Sequence, residues 1–243
     1  MKTHSVMHHS LLSCRVWVAA VYLVLSSLKG VASTKLVRNL GISQKSAGHL
    51  GHRIRASFAS GQDHNILGRI EVDETYIGAK AKNIHASRRD GKRGVDGKWR
   101  VVGILDRATG LVRAKAVDDT KKDELQGYLE KNVYADATVY SNQARSYDDL
   151  PQPHEVVQHG TGEYVRGSIH TNGIESYWSM LKRGYVGVYH RFSAKHLDRY
   201  LKEYARRRSL RELDTIDQMS ELVMQFWGVR LTLTNLVVGN ATT

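Results

Sequence analysis

The chain is poor in cysteine and proline, two residue types that constrain a fold strongly. Its 243 residues include one cysteine, Cys14, so neither an internal disulfide nor a zinc site built from cysteines is possible. The only prolines are Pro151 and Pro153, and no long low-complexity segment or internal repeat is present. The uncharged run at 16–25 is too short for a membrane helix, which needs about 20 residues. These absences favour a globular protein of a reducing cytoplasm, with no membrane partner.

Negative charge is scarce relative to positive charge. Thirty-six Lys and Arg residues against 24 Asp and Glu residues leave a net charge of +12, with a pI near 9.8. A solvated basic surface would explain this balance, but a polyanionic partner explains it better, and nucleic acid is the commonest. The apolar run followed by small residues at 31–33 also resembles a secretion signal. Because Arg15 and Lys29 interrupt that pattern, we favour a buried first helix and a cytoplasmic, nucleoid-associated protein.

Residues 11–58 have the pattern of a small helical region. A short helix at 33–40, a turn at Gly41 and a cap at Ser43 before a second helix at 44–58 predict a helix-turn-helix. The second helix carries residue types that reach base edges and phosphates, and the DNA-contacting candidates are Gln44, Lys45, Ser46, Arg53 and Arg55. An ordinary helical hairpin with a basic face has the same pattern, so both interpretations stay open.

The rest of the chain has a mixed pattern of strands and helices. Residues 59–68 are rich in Gly, Asn and Asp, which is typical of a linker. The predicted elements after it are strands at 70–77, 100–105 and 111–117, a hairpin turn at 106–110, a helix at 121–131 capped within 118–120, a strand at 137–140, a helix near 143–149, a strand at 156–157 and mostly helix from 171. This order predicts a mixed α/β domain at 69–210, an all-α domain at 1–58 before it and a helical tail at 211–243.

Two segments carry candidate catalytic residues. Asp73 lies mid-strand on one face with Glu71 and Thr75, and an acid among apolar neighbours needs a metal or an ionic partner such as Arg. In the predicted helix after 170, capped by Asn172, four residues share one side: Glu175, Trp178, Ser179 and Lys182. A carboxylate for a metal and a cation for a phosphate suit this arrangement, although an acid in a first turn also favours the helix dipole.

The segment ATVYSNQARSY, residues 137–147, raises a question about a third position. Its strand ends at Ser141 and Asn142, where a metal site often has a carboxylate, and neither residue carries a charge. Either an enzyme site lacks one ligand here, or this is an ordinary strand-to-helix turn. Four histidines could be ligands, but scattered histidines are usually hydrogen-bonded surface or turn groups, and we favour that interpretation for His85, His159, His170 and His190.

Four segments in order resemble one protein family, namely EVDETYIGAKAKNIHASRR, WRVVGILDRATGLVRAKAV, ATVYSNQARSY and GEYVRGSIHTNGIESYWSMLKRGYVGVYHRFSAKHLDRYLKEYARR. They resemble bacterial insertion-sequence transposases of the ISXO-like group, from about residue 9 to about residue 235. The resemblance implies a helix-turn-helix before an RNase H-like mixed sheet with flanking helices and a DDE-type catalytic set. That set holds two divalent cations, Mg²⁺ or in substitution Mn²⁺, which activate the attacking oxygen and stabilise the leaving oxygen. The implied partners are the terminal inverted repeats of the element, target DNA and further copies of the chain.

The resemblance assigns roles to individual residues. Asp73 matches the first catalytic Asp and Glu175 the third acidic position. Some relatives have an Asn in the third role, which Asn172 matches, and we favour Glu175 because it carries charge. Lys182 matches a basic residue that contacts a DNA phosphate, with Arg183 beside it. Tyr164 and Trp178 resemble packing or DNA-stacking residues of the family, and we favour packing.

The sequence departs from the family at Asn142, where relatives have the second catalytic Asp. An amide oxygen can touch a metal but adds no charge, so the loss should lower the rate by orders of magnitude. Asp136 and Asp148 are not obvious substitutes. Longer relatives begin with a cysteine-rich zinc ribbon, which we expect this chain to lack. The sequence therefore predicts an impaired transposase, with a catalytically dead, autorepressor-like DNA-binding protein or an RNase H-like nuclease as alternatives.

Overall fold

The computed structural model describes residues 2–58, 65–78, 95, 97–142, 145–157 and 170–238. By its contacts the chain divides into two compact units. We call Asp63–Lys182 the sheet unit, and Met1–Gln62 with Arg183–Thr243 the helical unit. The predicted domain boundaries at 58, 68 and 210 stay predictions. In the described ranges no helix is long and apolar enough to cross a membrane.

The sheet unit contains one five-stranded sheet. Its strands are β1 (Arg69–Ile77), β2 (Trp99–Asp106), β3 (Val112–Val117), β4 (Thr138–Asn142) and β5 (His154–Val157). The spatial order is β3-β2-β1-β4-β5, with antiparallel pairing among β1, β2 and β3 and parallel pairing from β1 to β4 and from β4 to β5. The predicted mixed α/β class with a mixed sheet and flanking helices is confirmed.

Alternation along β1 gives the sheet two different faces. Ile70 and Val72 are buried in a core that also contains Leu125 and Leu129 of helix α4 (Lys122–Glu130). Glu71, Asp73 and Thr75 lie on the opposite face of β1, and the site described below is built there. The predicted hairpin at 106–110 is confirmed, and Gly110 has a φ of 69°, which glycine adopts without strain.

Three details of the predicted elements are wrong. Strand β4 continues to Asn142, so this residue belongs to the strand instead of following it. The helix predicted near 143–149 is a single 3-10 turn, Arg145–Tyr147, in the part that the structure describes. No side chain caps α4, because its N-cap is Lys121 and the Asp119 carboxylate accepts the N–H of Lys121 itself at 2.9 Å, closing a turn ahead of the helix.

The helical unit contains α1 (Cys14–Ser26), α2 (Ser33–Leu40), α3 (Gln44–Ser57), α6 (Leu197–Ser209), α7 (Thr215–Met224) and α8 (Leu233–Val238). Helix α5 (Asn172–Gly184) contains the division between the units and is followed by a π-helical segment, Tyr185–Tyr189. Leu222 and Phe226 of the 211–243 region share one core with apolar residues of α1, α2 and α3. The predicted turn has Gly41 in the left-handed conformation and Ser43 as the N-cap of α3.

Candidate active site

The carboxylate of Asp73 is the centre of the polar face of β1. Its Oδ1 accepts a hydrogen bond from Asn142 Nδ2, and its Oδ2 accepts one from Trp178 Nε1, both at 3.0 Å. Asn142 is the last residue of β4, the parallel neighbour of β1, and Trp178 lies on α5. Asp73 is therefore the point at which two strands and a helix of the sheet unit meet.

Asp73 is held in an environment that disfavours its charge. Burial raises the pKa of Asp73 to about 7, and the negative charges of Glu74 and Glu175 act in the same direction. Hydrogen bonds from the Glu74 backbone and from Trp178 act against this shift but do not cancel it. A proton or a cation at this carboxylate would relieve the unfavourable charge.

Trp178 reaches Asp73 because Gly103 leaves space for its indole ring. Gly103 lies directly opposite Asp73 in the β1–β2 ladder. A Cβ atom at position 103 would be 2.7 Å from two indole carbons of Trp178 and 3.1 Å from Ile174 Cδ1. Trp178 is only 3% exposed, which agrees with its predicted packing role, but its contact with Asp73 was not predicted. Tyr164 lies outside the described residues.

Helix α5 brings the other predicted catalytic residues to the same face. Glu175 lies in the first turn, where its Oε1 accepts a hydrogen bond from Thr171 Oγ1 at 2.9 Å. Asn172 is the first residue of the helix and not the cap that precedes it. Desolvation lowers the pKa of Lys182, and the charge of Asp73 acts in the opposite direction. The charges of Glu175 and Lys182 thus both act on the centre formed by Asp73.

Comparison with known proteins identifies the family. Residues 65–208 match the ISXO2-like transposase domain. The chain belongs to this family. It is also 27% identical, over 225 residues that span 86% of this chain and 74% of the relative, to an uncharacterized protein in transposable element ISH50 from Halobacterium salinarum. The resemblance to insertion-sequence transposases is confirmed, and membership implies DNA binding, in agreement with the basic charge balance.

Transposases of this kind generally use divalent metals. In the described part of the chain, no group of three or more His, Cys, Asp or Glu side chains is placed to hold a metal. Asp73 and Glu175 offer carboxylate oxygens and Asn142 an amide oxygen, which are the donors that hard cations prefer. The oxygen donors around Asp73 are therefore of the chemical type that binds a divalent cation. They include two carboxylates, whereas a DDE-type set has three.

Two of the predicted DNA-contacting arginines of this transposase family member lie in the interior. Arg53 is 7% exposed and donates to the carbonyl of His8, while Arg55 is 6% exposed and pairs with Glu203 at 2.7 Å. A side chain committed to the core cannot also bind DNA, so the assignment of Arg53 and Arg55 to the DNA surface is corrected. Their partners are distant in sequence, and no local signal marks them as buried.

The start of α3 keeps the other DNA-contacting candidates near solvent. Gln44 and Lys45 are exposed, and Ser46 is partly exposed. Arg183 is also exposed. Of the predicted histidines, His85 and His159 lie outside the described residues, His190 is exposed with a φ of 56°, and His170 lies 3.3 Å from Glu71.

Proposed function

We propose that this chain is a DDE-type insertion-sequence transposase whose catalytic set is weakened by Asn142. In this proposal an RNase H-like sheet unit cuts the DNA ends of the element and joins them to target DNA. The five-stranded mixed sheet with flanking helices supports the RNase H-like assignment, and the similarity to a protein in a transposable element supports the biological setting. Such a protein would act on DNA at the nucleoid.

The observation that carries the proposal is the hydrogen bond from Asn142 to Asp73. A carboxylate at position 142 would lie beside that of Asp73, at the end of the neighbouring parallel strand. Two such carboxylates cannot both ionise without a cation between them, which is the arrangement that a metal-dependent phosphoryl-transfer site needs. In this chain an N–H donor replaces the second carboxylate, so the geometry of the site is retained while one negative charge is missing.

Asp73 and Glu175 would hold the divalent cation, which we propose to be Mg²⁺, with Mn²⁺ as a substitute. The amide oxygen of Asn142 would join them after a turn of the amide, because its NH₂ group now faces Asp73. Two cations are expected from the family, and they supply activation of the attacking oxygen and stabilisation of the leaving oxygen. Lys182 would bind a phosphate of the DNA strand. We assign the third position to Glu175, because its charge acts on Asp73 and an Asn172 amide would supply none.

DNA recognition is proposed for the helical unit. Helices α2 and α3 with the turn at Gly41 between them support a helix-turn-helix, and the exposed start of α3 would present Gln44, Lys45 and Ser46 to DNA. Two further residues would add phosphate contacts, namely Lys182 of the sheet unit and Arg183 of the helical unit. The proposed partners are the terminal inverted repeats, target DNA and further copies of the chain.

A second candidate is a DNA-binding protein without catalytic activity. Both oxygens of Asp73 already accept a hydrogen bond from a protein group, so protein donors alone hold this carboxylate in place. The second candidate predicts sequence-specific DNA binding and no cleavage, whether or not position 142 is changed.

The test is Mg²⁺- or Mn²⁺-dependent cleavage and joining of DNA that carries the ends of the element. Three chains are compared: the chain as given, Asn142→Asp, and Asn142→Asp combined with Asp73→Asn. We expect a gain of orders of magnitude in Asn142→Asp and its loss in the double variant. No cleavage in any chain that still binds DNA would favour the second candidate.

The same assay separates Glu175 from Asn172. In the Asn142→Asp background, Glu175→Gln should abolish the gain, whereas Asn172→Ala should retain most of it. The reverse result would assign the third role to Asn172.

A further inference from the structure

Glu71 is a buried carboxylate that is not part of the proposed catalytic set. It lies two residues before Asp73, on the same face of β1, and is 1% exposed. Its Oε1 accepts a hydrogen bond from Arg107 Nε at 2.9 Å, and its Oε2 accepts one from the backbone N–H of Ile174 at 2.8 Å. A carboxylate is retained in such a position only when its charge is compensated, and here the compensation includes the first turn of α5.

Arg107 extends this contact to the residues before the helix. Its guanidinium donates to the carbonyl of His170 and lies 4.2 Å from the ring centroid of Tyr140 on β4. The Glu71–Arg107 pair therefore holds the chain on both sides of the helix start, at His170 and at Ile174. The first N–H groups of a helix lack partners within the helix, and a carboxylate there also favours the helix dipole.

Gly173 allows the helix to approach the pair this closely. A Cβ atom at position 173 would be 2.8 Å from Glu71 Oε2 and 3.1 Å from Leu105 Cδ2. Only a residue without a side chain lets the N–H of Ile174 reach the carboxylate. The missing side chain at position 173 thus makes room for the buried carboxylate of Glu71.

We propose that Glu71 and Arg107 are positioning residues that fix the first turn of α5, so that Glu175 is held toward Asp73. The inference rests on the proposed function, because only that function makes the position of Glu175 important for catalysis. Neither Glu71 nor Arg107 touches DNA or the cation in this scheme. Strand β1 then carries both the first catalytic carboxylate, Asp73, and the acid that sets the position of the third.

The main variant is Glu71→Gln in the Asn142→Asp background. Glutamine has the shape of glutamate, but an NH₂ group takes the place of one carboxylate oxygen. That group cannot accept a hydrogen bond, so either the Arg107 or the Ile174 donor loses its partner. We expect the single-turnover cleavage rate at saturating DNA to fall about 10- to 100-fold, the range for supporting residues of a metal site, with the dissociation constant for DNA unchanged. Loss of folding alone would instead lower the amount of active protein and weaken DNA binding.

Gly173→Ala is the second variant, because it disturbs the same contact from the helix side and should produce the same loss of rate. Asn132→Ala is the control. It removes hydrogen bonds to the carbonyl of Tyr128 at 2.8 Å and from Arg113 at 3.3 Å, just after α4, which packs on the opposite face of the sheet. The control should leave the cleavage rate near that of the Asn142→Asp chain.

Hydrogen exchange measured by mass spectrometry gives a readout that needs no activity. In the chain as given, Glu71→Gln should speed deuterium uptake in a peptide covering residues 170–182 and leave α4 unchanged, whereas Asn132→Ala should not affect residues 170–182. If Asn142→Asp is active and adding Glu71→Gln or Gly173→Ala does not lower its rate, the positioning role is wrong while the proposed function stands. If Asn142→Asp is inactive, the proposed function fails, and unchanged exchange in residues 170–182 would then overturn the inference as well.

Discussion

At the scale of single residues, the environment of Asp73 depends on a position without a side chain. Gly103 lies opposite Asp73, and the Trp178 ring occupies the space that a Cβ atom at position 103 would need. The indole donates to Asp73 from this place. Gly103 therefore contributes to the site by letting α5 come close to the sheet.

Replacing Gly103 by Ala should destabilise the protein by about 1–3 kcal/mol, because the added methyl group overpacks against a rigid indole. Chemical denaturation measures this change. Gly127→Ala is the control, since no heavy atom lies within 4 Å of a Cβ at that helical position. There we expect a gain of about 0.5–1 kcal/mol from helix propensity. Equal stability of Gly103→Ala and the original chain would contradict the packing described here.

Sequence reasoning was strong for Asp73 and weak for its partners. A carboxylate in the middle of a strand is visible from its neighbours, and alternation placed it correctly on one face with Glu71. The hydrogen bond from Trp178 depends on Gly103, which is distant in sequence from both residues. Contacts that arise only when strand, ladder partner and helix come together leave no local pattern, so Trp178 was predicted to pack but not to touch Asp73.

At the scale of elements, a buried ionic cluster joins α3 to α6 within the helical unit. Glu203 is fully buried and pairs with Arg55 at 2.7 Å and with Arg207 at 2.9 Å. The Arg55 guanidinium also lies 4.5 Å from the ring centroid of Tyr200. The helices themselves were predictable from periodicity, but this pairing was not, because Arg55 resembles any basic residue on a presumed DNA-binding helix.

Glu203→Gln should cost about 3–5 kcal/mol of unfolding free energy, since it leaves buried arginines without their counter-charge. The control is Glu221→Gln, which removes an ion pair with Arg206 in which Glu221 is 51% exposed and should cost at most about 1 kcal/mol. Denaturation of both variants gives the comparison. Similar losses in the two would contradict the structural role of the cluster.

The contribution of Glu203 should also depend on pH. Burial opposes its ionisation, but Arg55 and Arg207 outweigh burial and hold the pKa of Glu203 below its ordinary value. A lowered pKa stabilises the folded state above the unfolded pKa of about 4.3, and this stabilisation is lost as pH falls through the folded pKa. The stability difference between the original chain and Glu203→Gln should therefore be constant near neutrality and shrink in acid.

At the scale of the whole molecule, the net charge of +12 should make DNA binding sensitive to salt. Fluorescence anisotropy at increasing salt should give a linear fall of log affinity with log salt. Lys45→Ala should reduce the magnitude of that slope by about one, as expected for one lost phosphate contact. Lys131→Ala changes an exposed lysine after α4 and should leave the slope unchanged. An unchanged slope in Lys45→Ala would remove Lys45 from the proposed DNA surface.

Contacts between helices that are distant in sequence could not be predicted from the sequence. The sequence treats residues 1–58 and 211–243 as separate segments, whereas Leu222 and Phe226 share a core with α1, α2 and α3. Hydrophobic periodicity shows that a helix has an apolar face but not which distant helix will cover it. All five strands, in contrast, were predicted in place, because each is bounded by turn residues that can be recognised locally. Their ends were less certain: β4 extends two residues further and β5 begins two residues earlier than predicted.

The central claim is that a missing charge at position 142 limits cation binding beside Asp73. The most direct measurement is the affinity for Mn²⁺ by calorimetry, for the chain as given, for Asn142→Asp, and for Asn142→Asp combined with Asp73→Asn. We predict at least about tenfold tighter binding in Asn142→Asp, since affinity for hard cations rises with ligand charge, and loss of the gain in the double variant. Equal affinity in the first two chains, or a gain that persists without the Asp73 carboxylate, would contradict the account.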